Sequence, residues 1–290
     1  MVQLIRRNGP RSVGLETTLL AHGLPRGESA ELAKRLARII AERGATAAII
    51  GIVAGRPIVG MTDEELGAML TAASVEKVST SNVGLVMHRG GHGATTVSAT
   101  VEFAARAGMR IIATGGIGGV HPGLAMSVDI SADVAAIARH PVGVVCSGVK
   151  SMLDVISTRE VLETLGVPVV GFGTDRFPAF YLRDGGCGVD ARFDAIDDLA
   201  AFVRAELARS GRGIVIAQPV PATHAIAPQA MQAWVDEAMR RAASAGISGR
   251  AVTPFVLGQL HEISVGATLA ANIALVESNA ALAASLAVAM

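Results

Sequence analysis

The sequence predicts an α/β protein: a single α/β/α sandwich domain spanning residues 1–290, with a mixed central sheet and a helical C-terminal segment. Three observations carry this. The order strand, glycine turn, helix recurs along the chain, which favours interleaved α/β over segregated classes. Apolar, β-branched runs such as Val142-Gly143-Val144-Val145 read as strands buried on both faces. No charge run, low-complexity linker or fixed-period repeat divides the chain, and the best candidate seam is the Gly-Asp-Arg stretch from Arg183 to Asp194.

The elements follow in order. Ser12 to Leu20 is expected to form a first strand holding one acid, Glu16, among apolar neighbours. A carboxylate there needs a partner or a task. After Pro25, Ser29 can cap a helix with Leu32, Leu36, Ile39 and Ile40 on one face and Gly44 at its end. Ala47 to Val53 reads as a strand, Ala54-Gly55 as a hairpin turn, and Thr62-Asp63-Glu64-Glu65 as a capping box. Lys77-Val78-Ser79 is a short strand, and the turn Arg89 to Gly93 leads to the hydroxyl-rich Ala94 to Thr100. Strands then follow over Met109–Thr114, Val167–Gly173 and Gly213–Ala217, with Pro178–Leu182 extended, helices over Ser151–Thr164 and Asp197–Arg209, and helix from Pro228 onward.

Composition narrows the function classes. Lysine plus arginine equals aspartate plus glutamate at 25 each, so no charge footprint for nucleic acid or an anionic membrane is expected. The two cysteines, Cys146 and Cys187, fall in no metal-ligand spacing and suit free thiols of a cytoplasmic protein. The amino terminus lacks signal-peptide order. Val265 to Met290 is strongly apolar but carries Asn272, Glu277, Ser278 and Asn279, which favours a packed helix over a spanning one.

Several motifs bear on chemistry. A lone lysine, Lys150, follows the run Val142 to Val149, where a helix is expected to begin. Ligands of open α/β sheets collect at strand carboxyl ends, and a poorly solvated amine there can lose its proton and act as a nucleophile. A surface lysine in a helix's first turn is the plain alternative. The turn Gly116 to His121 begins like a dinucleotide fingerprint, yet His121 takes the third glycine position, and Val149 breaks the P-loop spacing of Gly143 to Ser151. Both cofactor readings are discounted. Glycine turns beside helix starts can still hold a phosphate, with Lys77, Thr95, Thr96 and Ser131 assisting. Asp129-Ile130-Ser131-Ala132-Asp133 offers helix capping by Asp129 or Ser131, or oxygens for Mn²⁺ or Mg²⁺ near that phosphate. The seven histidines show no zinc spacing, and only His121 is carried forward.

Taken together, Leu15-Glu16-Thr17-Thr18, Lys77-Val78-Ser79, Gly93 to Val97, Ala113 to His121, Asp129 to Asp133, Val144 to Ser151, Pro178-Ala179-Phe180 and Thr253-Pro254-Phe255 resemble the pseudouridine-5′-phosphate glycosidases, also called indigoidine-synthase-A-like proteins. The resemblance runs from about Gly14 to the final helix. It implies Lys150 as nucleophile, Glu16 as proton donor and Asp129 as ligand of Mn²⁺ (or Mg²⁺). It further implies Lys77, Val97 and Ser131, Ala132 and Asp133 as sugar-phosphate contacts, Asn272 as an amide near the base, and a homotrimer.

A sugar held by a C–C bond has no lone pair to protonate at its leaving atom, so two carboxylates would not suffice and an electron sink at C1 is needed. An imine of Lys150 with ribose 5-phosphate supplies one, with Glu16 protonating the ring oxygen. Where the family has Arg-Arg-Asp after Lys-Val-Ser, this chain has Thr80-Ser81-Asn82, and Pro122 replaces an arginine after the glycine-turn histidine. The sequence expectation therefore keeps the sugar half and changes the acceptor half. It places a C-glycosynthase joining ribose 5-phosphate to an aromatic, alnumycin-type polyketide acceptor first and pseudouridine-5′-phosphate cleavage to uracil second. A silent sugar-phosphate-binding protein is the third reading.

Overall fold

The computed structural model of the chain describes residues 3–23, 27–122, 129–247 and 252–290. Its amino-terminal half runs β1 (Ile5–Arg6), β2 (Ser12–Leu15), α1 (Thr18–His22), α2 (Ser29–Ala41), β3 (Thr46–Val53), β4 (Arg56–Val59), α3 (Asp63–Thr71), β5 (Glu76–Val78), α4 (Val83–His88), β6 (Gly93–Thr95), α5 (Val97–Arg106) and β7 (Ile111–Ala113). The remainder runs α6 (Ala132–Arg139), β8 (Gly143–Cys146), α7 (Val155–Thr164), β9 (Val169–Phe172), β10 (Ala191–Phe193), α8 (Ile196–Ser210), β11 (Ile214–Ala217), α9 (Pro228–Ser244), α10 (Val252–Ile263) and α11 (Ala267–Ala289).

The strands join in the order β1-β4-β3-β2-β7-β8-β11-β9-β10, with β6 and β5 attached through β3. From β3 through β2 and on to β10 every pairing is parallel, while β3 meets β4 and β6 antiparallel, so the sheet is mixed as expected. Helices α2, α8 and α11 cover one face, and α5, α6 and α7 the other. The central strands are apolar throughout because both their faces are covered; Val144, Val145, Ile214 and Ile216 are fully buried. By length and composition alone α11 could cross a bilayer, yet it packs on β2, β7 and β8 and buries Asn272 and Asn279, as its polar residues foretold.

Local signals held where local energetics decide. Ala54 (φ 47°) and Gly55 (φ 73°) make the two-residue turn between β3 and β4, and the Thr62 capping box closes with both bonds. Other expectations are corrected. The first strand stops at Leu15, because the Thr17 and Thr18 hydroxyls bond to Ile50, Ala94 and Thr95 carbonyls and start α1 instead. Ser29 lies inside α2, its hydroxyl donating to Leu20 O at 2.5 Å, and Glu28 takes the cap position. Pro178 to Leu182 is no sheet strand; it is a loop with Phe180 at φ 60°. The proposed seam at Arg183–Asp194 contains β10, paired with β9, so it separates nothing. Pro25 and the side chains of Thr253 and Pro254 lie outside the described residues.

Candidate active site

Three neighbouring parallel strands, β2, β7 and β8, deliver the chemistry from their carboxyl ends, where ligands of such sheets collect. Glu16 follows β2 directly and Thr114 follows β7 directly. Lys150 lies a short turn beyond β8, not at a helix start as the sequence suggested, since α7 begins only at Val155 with Asp154 as its cap. Pairing persists past β8: Ile117 N–H donates to Gly148 O at 2.9 Å and Lys150 N–H to Ile117 O at 3.1 Å. Gly148 has φ 72°, and a Cβ there would stand 1.8 Å from Pro178 O, so only glycine lets this turn form.

Two chambers meet at this point. An apolar one of about 230 Å³ is walled by Glu16, Leu19, His22, Phe180, Leu257 and Asn272 among others. A polar one of about 400 Å³ is walled by Ser79, Ser81, Thr96, His121 and Asp129 to Asp133. Lys77 and Lys150 line both, so the two amines stand on the boundary.

Glu16 is half-buried and accepts a hydrogen bond from the Thr114 hydroxyl. Burial lifts its carboxyl above the usual range, opposed by the charge of Lys150, the Thr114 bond and Lys77, while Asp133 adds to the rise. A raised carboxyl suits a proton donor at neutral pH. His22 is held below the usual imidazole range by desolvation and by Lys77. On the long helix α11, Asn272 is buried and its Oδ1 has no hydrogen-bond partner among the described residues.

The polar chamber sorts the remaining sequence candidates. Ser131 caps α6, accepting from Asp133 N–H at 3.2 Å, and Ala132 opens that helix. Asp133 is buried, and each of its oxygens takes a backbone amide, Ser98 N–H and Gly118 N–H, both at 2.8 Å. It braces the glycine turn against α5 and α6, so its own oxygens are taken up by backbone amides, and the chamber's groups suited to an anion are the two amines and the helix amino-terminal ends. Gly118 can approach this closely because it has no Cβ, which would stand 2.3 Å from Ser131 Oγ. Val97 does not enter the chamber by its side chain, which is fully buried, and Thr95 is likewise tied into a core network with Thr17, Thr100 and Ile50 O. Within the hydroxyl-rich stretch Ala94 to Thr100, Thr95 and Thr100 are therefore structural. His121 and Thr96 do face the chamber. Cys146 is inert, its buried thiol pushed up to about 12.

Asp129 is exposed at the chamber's edge, and among the described residues no three histidine, cysteine or acidic side chains cluster. A hard divalent ion fits such a place when one carboxylate shares it with phosphate oxygens and waters. Sequence reasoning overlooked Thr114 as a partner of Glu16, and His22 and Leu257 as chamber walls; no spacing rule links Glu16 to Thr114, 98 positions on, or to Leu257 on α10, and nothing in the short α1 pattern marks His22 as facing a chamber.

The fold and the site together define a class: an α/β/α protein with a raised acid and a lysine beyond the ends of two strands, β2 and β8, that flank β7, where a polar and an apolar chamber meet. A profile of the family described as "Indigoidine synthase A like protein" matches residues 2–289. A pseudouridine-5′-phosphate glycosidase of Methylobacterium nodulans is 47% identical over 97% of this chain and 84% of its own length. One from Symbiobacterium thermophilum is 43% identical over 99% and 95%. Among solved structures, an indigoidine synthase A-like protein from Thermotoga maritima superposes with a TM-score of 0.91 at 38% identity, over 99% of this chain and 96% of that one. The prealnumycin C-glycosynthase in complex with ribulose 5-phosphate gives 0.89 at 32%, with the same coverage. The chain belongs to the indigoidine synthase A-like family and is an enzyme of it.

Proposed function

We propose that this enzyme acts on a C-glycosidic bond, cleaving pseudouridine 5′-phosphate to uracil and ribose 5-phosphate through an imine at Lys150. The observation that carries this is the placing of Lys150 and Lys77 on the boundary of the two chambers, where C1 of a sugar phosphate in the polar chamber meets a planar ring in the apolar one. Protonated Glu16 gives its proton to the ring oxygen as the Lys150 amine bonds to C1 and the ribose ring opens. The new ammonium returns a proton to ionised Glu16, the nitrogen lone pair then forms the C1=N bond while the C1–C5 electrons return to uracil, and uracil C5 takes up that proton. Water hydrolyses the imine, freeing ribose 5-phosphate and the amine. Asn272 offers the base an amide whose Oδ1 is otherwise unpaired.

Cleavage replaces synthesis on a polyketide as the leading reading. The case for synthesis rested on lost charges at Thr80, Ser81, Asn82 and Pro122 and placed them on the acceptor side. Of these, Ser81 lines the polar chamber instead, and Asn82 donates to the Lys77 carbonyl at 3.1 Å, which supports a bearing of these two departures on the sugar-phosphate half. The relatives named as pseudouridine-5′-phosphate glycosidases are also more similar to this chain than the C-glycosynthase is. A silent binding protein has no use for a raised acid beside a boundary lysine.

In this reading Asp129 holds Mn²⁺ or Mg²⁺, which offsets phosphate charge when bound, and the chain works as a homotrimer. Chelation is expected to raise KM for the sugar phosphate more than it lowers kcat, and light scattering to read three times the chain mass. The deciding test is borohydride reduction with ribose 5-phosphate: a stable adduct on Lys150 by mass spectrometry is expected, and none in Lys150→Ala. Absence of any adduct, or turnover by Lys150→Ala, refutes the imine. Uracil with ribose 5-phosphate and Mn²⁺ should yield pseudouridine 5′-phosphate; failure in both directions refutes the substrate.

A further inference from the structure

The acid of this site is held from behind by groups that reach no substrate. The Thr114 hydroxyl donates to Glu16 Oε1. Thr114 is in turn fixed by its backbone, its N–H donating to Val145 O at 3.0 Å and its carbonyl accepting from Asn279 Nδ2 at 2.8 Å. Asn279 is fully buried in α11, two turns beyond Asn272, and the same amide reaches Ser147 Oγ at 3.2 Å. Ser147 opens the Lys150 turn, and its carbonyl accepts from Phe180 N–H at 2.8 Å. One buried amide thus indexes the acid's partner, the lysine turn and the helix that brings Asn272 to the apolar chamber.

We propose that Thr114 is the positioning residue of the general acid, occupying Glu16 Oε1 so that the proton is carried and donated by Oε2, and that Asn279 holds Thr114 in that register. This rests on the Lys150 reaction above. A hydroxyl that donates to a carboxyl oxygen stabilises the ionised form and fixes the rotation of the group. The charged groups facing Glu16 among the described residues are Lys150, Lys77 and Asp133, with His22 and Asn272 on the same chamber wall. Among the described residues no second side-chain hydroxyl bonds Glu16, so its orientation depends on Thr114.

The experiment compares wild type with Thr114→Val, Thr114→Ser and Asn279→Leu. Loss of the hydroxyl removes a stabiliser of the anion, so the Glu16 carboxyl rises further; the acid is active only when protonated, and the alkaline limb of kcat moves to higher pH. Thr114→Val is expected to lower kcat about tenfold with KM nearly unchanged. Thr114→Ser restores both the rate and the limb, and Asn279→Leu lowers kcat in a protein that still unfolds cooperatively. A ¹³C carboxyl titration of Glu16 in the free enzyme reads the same shift without any substrate. An unmoved Glu16 titration in Thr114→Val, or a serine variant as impaired as the valine one, overturns the proposal. Wild-type enzyme that leaves pseudouridine 5′-phosphate intact counts against the proposed function alone, because the titration still decides the role of Thr114.

Discussion

At the scale of single residues, Glu16 shows how burial and charge compete. Desolvation raises its carboxyl although Lys150, Thr114 and Lys77 all pull it down. A group whose native value is raised favours the protonated fold, so its contribution is complete below the ordinary carboxylate range and is lost as pH rises through the raised value. Glu16→Gln removes that dependence. Thermal melts should show the variant gaining on wild type as pH increases from acidic to neutral; parallel curves would show that Glu16 is not perturbed. The same variant should lose kcat by roughly 10²–10⁴-fold, the usual worth of a positioned acid, read by steady-state kinetics. Glu16 was recognisable in the sequence as an acid stranded among apolar residues. Thr114 was not, because its value lies in a contact with a residue 98 positions away.

At the scale of elements, the lysine turn is the most demanding piece of the molecule. Gly148 in the left-handed region lies against Pro178 O, Phe180 holds φ 60°, and Ser151 Oγ ties the turn to Ala179 O at 2.6 Å. A non-glycine residue in that region costs about 1–3 kcal/mol and persists where surrounding contacts enforce it. Gly148→Ala is accordingly expected to destabilise by more than about 1 kcal/mol in urea unfolding and to abolish the borohydride adduct. Asp133→Asn keeps one acceptor where two amides need one each, and should cost about 2 kcal/mol by the same measurement. The sequence marked these stretches as glycine turns and a helix start. It starts the helix at Ser151, beside the lysine, where α7 begins only at Val155, and reads Pro178 to Leu182 as extended where Phe180 turns to φ 60°, because the clasp between two loops is set by neither periodicity nor propensity.

At the scale of the whole molecule, an apolar and a polar chamber meet at Lys77 and Lys150. Leu257, contributed by α10, walls only the apolar chamber. Leu257→Trp should fill that space and reduce pseudouridine 5′-phosphate turnover at least about tenfold, while ribose 5-phosphate still traps on Lys150 at the wild-type rate. Equal loss of both would mean that the chambers are not independent. What the sequence by itself determined is the α/β/α architecture, the strand cores and the candidate acid, lysine and Asp129 to Asp133 cluster, since periodicity, glycine turns and motif order are local properties of the chain. What only the tertiary structure decided is which of these share a chamber: the order β2-β7-β8 sets Glu16, Thr114 and Lys150 side by side, while Thr95 and the Val97 side chain lie in the core and Ser81 and His121 line the polar chamber. The reason is physical. Strand order and helix packing are chosen by burial of the whole apolar surface, a sum over distant residues that no single stretch contains.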